Sequence, residues 1–214
     1  MNLKRPFNLV KKSTEFCISY NDPFSRTKLT RSIESFIRDV PVTRQIVIVC
    51  IGTDRSTGDS LGPLVGRYLN RFSHQPYAIY GTIDAPVHAM NLSETIELIY
   101  TKYNHPFVIA VDACLGKYEN IGNITLDKGA IKPGAGVKKK LPEIGDIHIK
   151  GIVNVSGYME YLVLQNTRLS LVMNISEVIG SSLHNALINH FIRQTATKVS
   201  INQMELNPNP LVDS

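Results

Sequence analysis

The stretch from Ile46 to Leu69, "IVIVCIGTDRSTGDSLGPLVGRYL", decides how the rest of the chain is read. Six apolar residues, five of them β-branched, suit a strand covered on both faces. The run stops on Gly52 and a loop holding Thr53, Asp54, Arg55, Ser56 and Asp59, and a helical pattern then opens near Ser60 and continues to about Phe72. A plain turn would join the two elements; a loop with two carboxylates and several hydroxyls offers chemistry as well.

Working outward, the same rhythm recurs. "SRTKLTRSIESFIRDV" before the stretch places Leu29, Ile33, Phe36 and Ile37 at helical spacing, and Pro41 closes that helix. "YAIYGTID" reads as a second strand, "NLSETIELIYTKY" as a helix with Ser93 as its N-cap, and "PFVIAVDA" as a third strand. Alternation of this kind predicts a mostly parallel sheet with helices on both faces. Two strand-like pieces then flank a Pro/Gly/Lys loop from Lys132 to Pro142, long enough to suggest function. "YMEYLVLQN" reads as helix, "LSLVMNIS" as a further strand, and the segment from Ser176 to Val199 as a long helix with Ile179, Leu183, Leu187 and Phe191 along one face. The expected division is an arm over residues 1–24, a single α/β domain over 25–200 and a tail over 201–214.

A chain of 214 residues is long enough for one well-buried core, and two ordinary domains would need more. With 43% hydrophobic and 19% charged residues, the composition is globular and argues against a disordered chain. No apolar run reaches the roughly 18 residues of a membrane span, and the opening residues lack a signal-peptide core, so a cytoplasmic protein with no membrane partner is expected. The net charge of +5 is scattered apart from Lys138, Lys139 and Lys140. Without interleaved aromatics or a recognisable motif, that run reads as a solvated loop and disfavours a nucleic-acid partner. Three cysteines without CxxC spacing indicate neither a disulfide framework nor a zinc knuckle.

In open α/β sheets the loops at the C-terminal ends of the strands form the ligand crevice. Asp59 follows the first strand and Asp112 closes the third, so the two acids, remote in sequence, are expected at one rim. Neighbouring carboxylates disfavour each other's ionisation, hold one proton between them, and so supply an acid and a base together. The competing readings are a helix cap for Asp59 and a strand-end turn for Asp112. The glycines match neither the Walker A nor the dinucleotide spacing, and no G-x-S-x-G elbow makes Ser56 or Ser60 a nucleophile. His88 and His148 are metal-ligand types with a structural alternative, and Cys114 is either a ligand, a thiol or a small buried side chain.

These segments resemble a known family. "IGTDRSTGDSLGPLVG", "APVHAMNLSETIELI", "FVIAVDACLG" and "GAIKPGAGVKKK" look, in that order, like segments of the bacterial spore germination protease. Taken whole, the chain is similar to the small YyaC-type sporulation proteins of spore-forming bacteria. The resemblance implies a three-layer α/β/α sandwich of the phosphorylase/hydrolase-like kind, shared with the hydrogenase maturation proteases. It also implies a catalytic pair at Asp59 and Asp112 and a peptide or small spore protein as substrate. Thr53, Asp54, Ser56 and Lys138 are then the expected substrate-contacting residues, no cofactor is implied, and a homo-oligomer stays open. Where the hydrogenase maturation proteases carry a third nickel contact, a histidine, the matching "NVSG" has Asn154, so a metal-guided mechanism lacks its usual ligand unless His88 or His148 supplies it.

Overall fold

The computed structural model describes residues 16–133 and 141–206, with side chains through residue 196. The Ile46 run forms β2 (Ile46–Cys50), and every residue in it is buried. Its alternation serves two cores: Ile46, Ile48 and Cys50 face one, Val47 and Val49 the other. Fully burying an Ile or Val contributes roughly 1.5–3 kcal/mol, which is why the run tolerates no polar residue.

Around β2 the chain builds one six-stranded sheet in the order β1-β5-β6-β4-β2-β3. The other strands are β1 (Phe16–Ser19), β3 (Tyr77–Tyr80), β4 (Phe107–Gly116), β5 (Asn123–Lys128) and β6 (Ile147–Val155). β2 pairs in parallel with β3 and β4, and β4 in parallel with β6. β5 runs against its neighbours on both sides. The helices α1 (Ser25–Ile37), α2 (Leu61–Leu69) and α5 (Leu169–Leu206) cover one face, with α5 packed on both α1 and α2. On the other face, Leu92 and Ile99 of α3 (Leu92–Lys102) pack with Val47, Val49, Val108 and Ala110, joined by Ile131 and Ile144 from the β5–β6 connection. The mostly parallel three-layer α/β/α arrangement expected from the sequence is therefore present.

Several local expectations differ from the structure. Residues 16–19, assigned to an N-terminal arm, are an edge strand: Cys17 pairs with Thr125 and Ile18 with Ile124, and Ile18 is buried. "LSLVMNIS" is the opening of α5, because Val172 and Ile175 are buried while Leu169 and Met173 are 54% and 43% exposed. From Val172 and Ile175 the stripe continues at four-residue steps through Ile179 and Leu183, as one helical face. α5 also runs on to Leu206, past the expected start of the tail. Ser93 lies inside α3, whose cap position is Asn91; the Asn91 Oδ1 accepts the His88 N–H at 2.8 Å.

The rim of the sheet away from the β2 loop is tied by a polar clamp. Arg44 donates to the His105 and Pro106 carbonyls and to the Asp146 carboxylate at 2.9 Å, and Asp146 accepts the Val108 N–H at 2.7 Å. This fixes the starts of β4 and β6 relative to the residues leading into β2, and leaves the opposite rim for chemistry.

Candidate active site

At the end of β2 the chain is held on both sides. Ile51 donates to the Val111 carbonyl of β4 at 2.7 Å, and Gly52 to the Val87 carbonyl at 2.8 Å. The loop then folds back on itself: the Thr53 N–H donates to the Asp59 carbonyl at 3.1 Å. Gly52 has φ +143°, and a Cβ there would collide with that same carbonyl, so only glycine lets the loop close. A 3₁₀ turn, Gly58–Ser60, carries Asp59 into α2, and the Ser60 hydroxyl donates to the Thr57 carbonyl at 2.7 Å. Among the described residues no side-chain hydrogen bond caps α2, and Asp59 precedes the cap position, Ser60. The capping role for Asp59 is thus not what the structure has.

Asp112 likewise departs from the strand-end reading, since β4 continues to Gly116. Val111 and Ala113 face the core beneath α2 and α5, which turns Asp112 toward the α3 side, level with the point where β2 becomes loop. It is 6% exposed, and its Oδ1 accepts the Ala113 N–H at 2.8 Å.

Both acids line one cavity of about 310 Å³. Its wall includes Thr53, Asp54, Arg55 and Ser56 from the loop, His88 and Met90 from the segment before α3, Pro133 and Leu141 from the β5–β6 connection, and Tyr161 and Leu164 of α4 (Glu160–Gln165). Burial pushes the Asp112 carboxyl well above the usual carboxylate range, and the negative charge of Asp59 pushes it further. Asp59 is also raised by burial, with the Thr53 backbone hydrogen bond and the His88 ring pulling the other way. Of the two, the Asp112 carboxyl is the more strongly raised and so keeps its proton to higher pH.

The remaining expected residues divide. Thr53 organises the loop: its Oγ1 accepts the Arg55 N–H at 3.3 Å and donates to Asp54 Oδ1 at 3.4 Å. Asp54 is exposed at the mouth, whereas Ser56 is buried in the wall and its Oγ has no hydrogen-bond partner among the described residues. Lys138 lies outside the described residues. His88 is in the wall, its Nδ1 accepting the Met90 N–H at 3.3 Å. His148 does not line the cavity; it is buried on β6, with Nδ1 2.8 Å from the Gly129 carbonyl. Cys114, two residues beyond Asp112, is no reactive thiol: burial pushes its pKa up to about 12. Met90 and Tyr161 went unnoticed in the sequence because no motif marks them, yet they stand 90% and 59% exposed beside the acids.

The donor set does not fit a metal. Among the described residues no group of three His, Cys, Asp or Glu side chains is arranged to hold an ion. Asn154 is bound instead to the Val163 carbonyl and Thr167 Oγ1, both at 3.2 Å. No helix among the described residues is long and apolar enough to cross a membrane.

Comparison with known proteins agrees with the sequence motifs. "Uncharacterized protein YyaC" of Bacillus subtilis (strain 168) is 51% identical over 166 residues, covering 78% of this chain and 80% of that protein. Among solved structures, the NiFe hydrogenase maturation protease HycI from Thermococcus kodakarensis KOD1 is similar with a TM-score of 0.48 and 18% identity, over 73% of this chain and 98% of that one. The family model described as "Protein of unknown function (DUF1256)" matches residues 17–182, from the edge strand to the middle of α5, and the chain belongs to that family.

Proposed function

We propose that this protein is a peptidase-like hydrolase that cuts spore proteins in the cytoplasm of a spore or sporulating cell, using Asp59 and Asp112 as one acid–base unit. The observation that supports it best is the convergence of two partly or wholly buried carboxylates on one cavity, near enough for the charge of one to raise the other. The resemblance of the loop after β2 and of the Asp112 strand to the germination protease supports the substrate class.

In this reading Asp112 keeps its proton and donates a hydrogen bond to the carbonyl oxygen of the scissile amide. Asp59, ionised, takes a proton from a water whose oxygen forms the new bond to the carbonyl carbon. The tetrahedral intermediate collapses as the C–N bond breaks and the departing nitrogen takes up the proton held by Asp59, leaving a carboxylic acid and an amine. Ser56, whose hydroxyl in the wall has no hydrogen-bond partner among the described residues, hydrogen-bonds the substrate backbone in this reading.

The test is incubation of the full chain with small acid-soluble spore proteins, with fragments followed by mass spectrometry. Cleavage by the wild type is expected to fall roughly 10²–10⁴-fold in Asp59→Asn and in Asp112→Asn. Undiminished cleavage in both variants rejects the mechanism. A second reading, capture of a polypeptide without cutting, draws support from the exposed Met90 and Tyr161 at the mouth; tight binding with no fragments selects it.

A further inference from the structure

Asp112 has a charged neighbour on the strand beside it, outside the cavity wall. β4 and β6 run parallel with Asp112 directly opposite Lys150. Ile147 and Ile149 face the same core as Val111 and Ala113, so Lys150 and Asp112 stand together on the other face of the sheet. On its far side Lys150 meets β5: its Nζ is 3.9 Å from Asp127 Oδ2, and its side chain is 32% exposed. One ammonium is thereby set between two strands that each present a carboxylate.

We propose that Lys150 is a positioning residue for the acid pair: from the adjacent strand its ammonium offsets a single negative charge on Asp59 and Asp112, and so sets the pH at which the pair holds one proton. The proposal rests on reading the two acids as a working pair, but its test reads ionisation and needs no turnover.

Of the charged groups around the pair, Lys150 is the cation that draws on Asp112, while His88 draws on Asp59. On the cavity side stand Asp59 from the 3₁₀ turn, His88 from the segment before α3, and Asp54 and Arg55 at the mouth. Beyond Lys150 lie Asp127 and His148, whose Nε2 is 3.8 Å from Asp127 Oδ2. Cys114 follows on β4 itself, and Lys132 and Glu143 of the β5–β6 connection pair with each other at 3.0 Å. Against burial and the charge of Asp59, the Ala113 N–H and then Lys150 pull the Asp112 carboxyl down, and Lys150 acts in the same sense on Cys114. A buried pair of acids without a nearby cation would hold its protons to higher pH.

The experiment follows the side-chain carboxyl carbon of Asp112 by NMR against pH in the ¹³C-labelled full chain, assigned with Asp112→Asn. Lys150→Met is expected to move the midpoint up by about one pH unit, and Lys150→Arg to restore it. Lys150→Gln gives the same charge removal with a polar side chain, should the Met variant fail to fold. An unmoved midpoint in a folded Met or Gln variant overturns the proposal. So does an equal shift in the Arg variant, which would make packing the cause. A shifted midpoint that Arg restores, in a protein that cleaves nothing, upholds the proposal and removes the peptidase reading instead.

Discussion

Asp112 keeps a carboxyl where water hardly reaches, and that arrangement weighs on the fold. Because its pKa is raised in the folded state, the native protein binds this proton more tightly than the unfolded chain does. The associated stability is fully present below the unfolded value of about 3.9 and is lost as pH rises through the folded value. Asp112→Asn, which cannot ionise and can still accept the Ala113 N–H, is therefore expected to melt higher than the wild type at neutral pH, with the gain vanishing toward pH 4. Each 1 kcal/mol recovered corresponds to roughly 2–4 °C in a chain of this size. Thermal unfolding of the two proteins across that pH range checks it, and equal melting temperatures at neutral pH would show that the carboxyl costs the fold nothing.

At the scale of elements, the loop after β2 depends on one backbone conformation. Gly52→Ala meets both an unfavourable φ and the Asp59 carbonyl, so its urea midpoint is expected to drop by the equivalent of about 1–3 kcal/mol, with the Thr53–Asp59 closure opened. This loop, β2, β4 and α1 were legible in the sequence because their apolar runs and stripes are local. Convergence of Asp59 and Asp112 on one cavity was legible too, from the parallel placing of β2 beside β4, although β4 runs on past Asp112 to Gly116 instead of ending on it. The start of α5 was not: Leu169, Leu171, Val172, Met173 and Ile175 fit a buried strand as well as a helix, and only packing on the sheet chooses. Nor was Lys150 legible, because its place opposite Asp112 is a register between strands far apart in the chain. β1 was hidden by its length, four residues being too few for a period to show.

Across the whole molecule, the sheet separates its duties. One rim carries the Arg44–Asp146 clamp, the other the two acids, and α1, α2 and α5 pack on one face with α3 on the other. The row β1-β5-β6 is different, for β5 alternates direction with both neighbours and depends on β1 to occupy its outer hydrogen-bonding groups. Removing residues 1–20 would bare a six-residue strand with free donors and acceptors, an invitation for one molecule to zip onto the next. Light scattering on such a truncated protein is expected to report larger species than the full chain forms under the same conditions, so that four residues would act as this sheet edge's guard against further self-association.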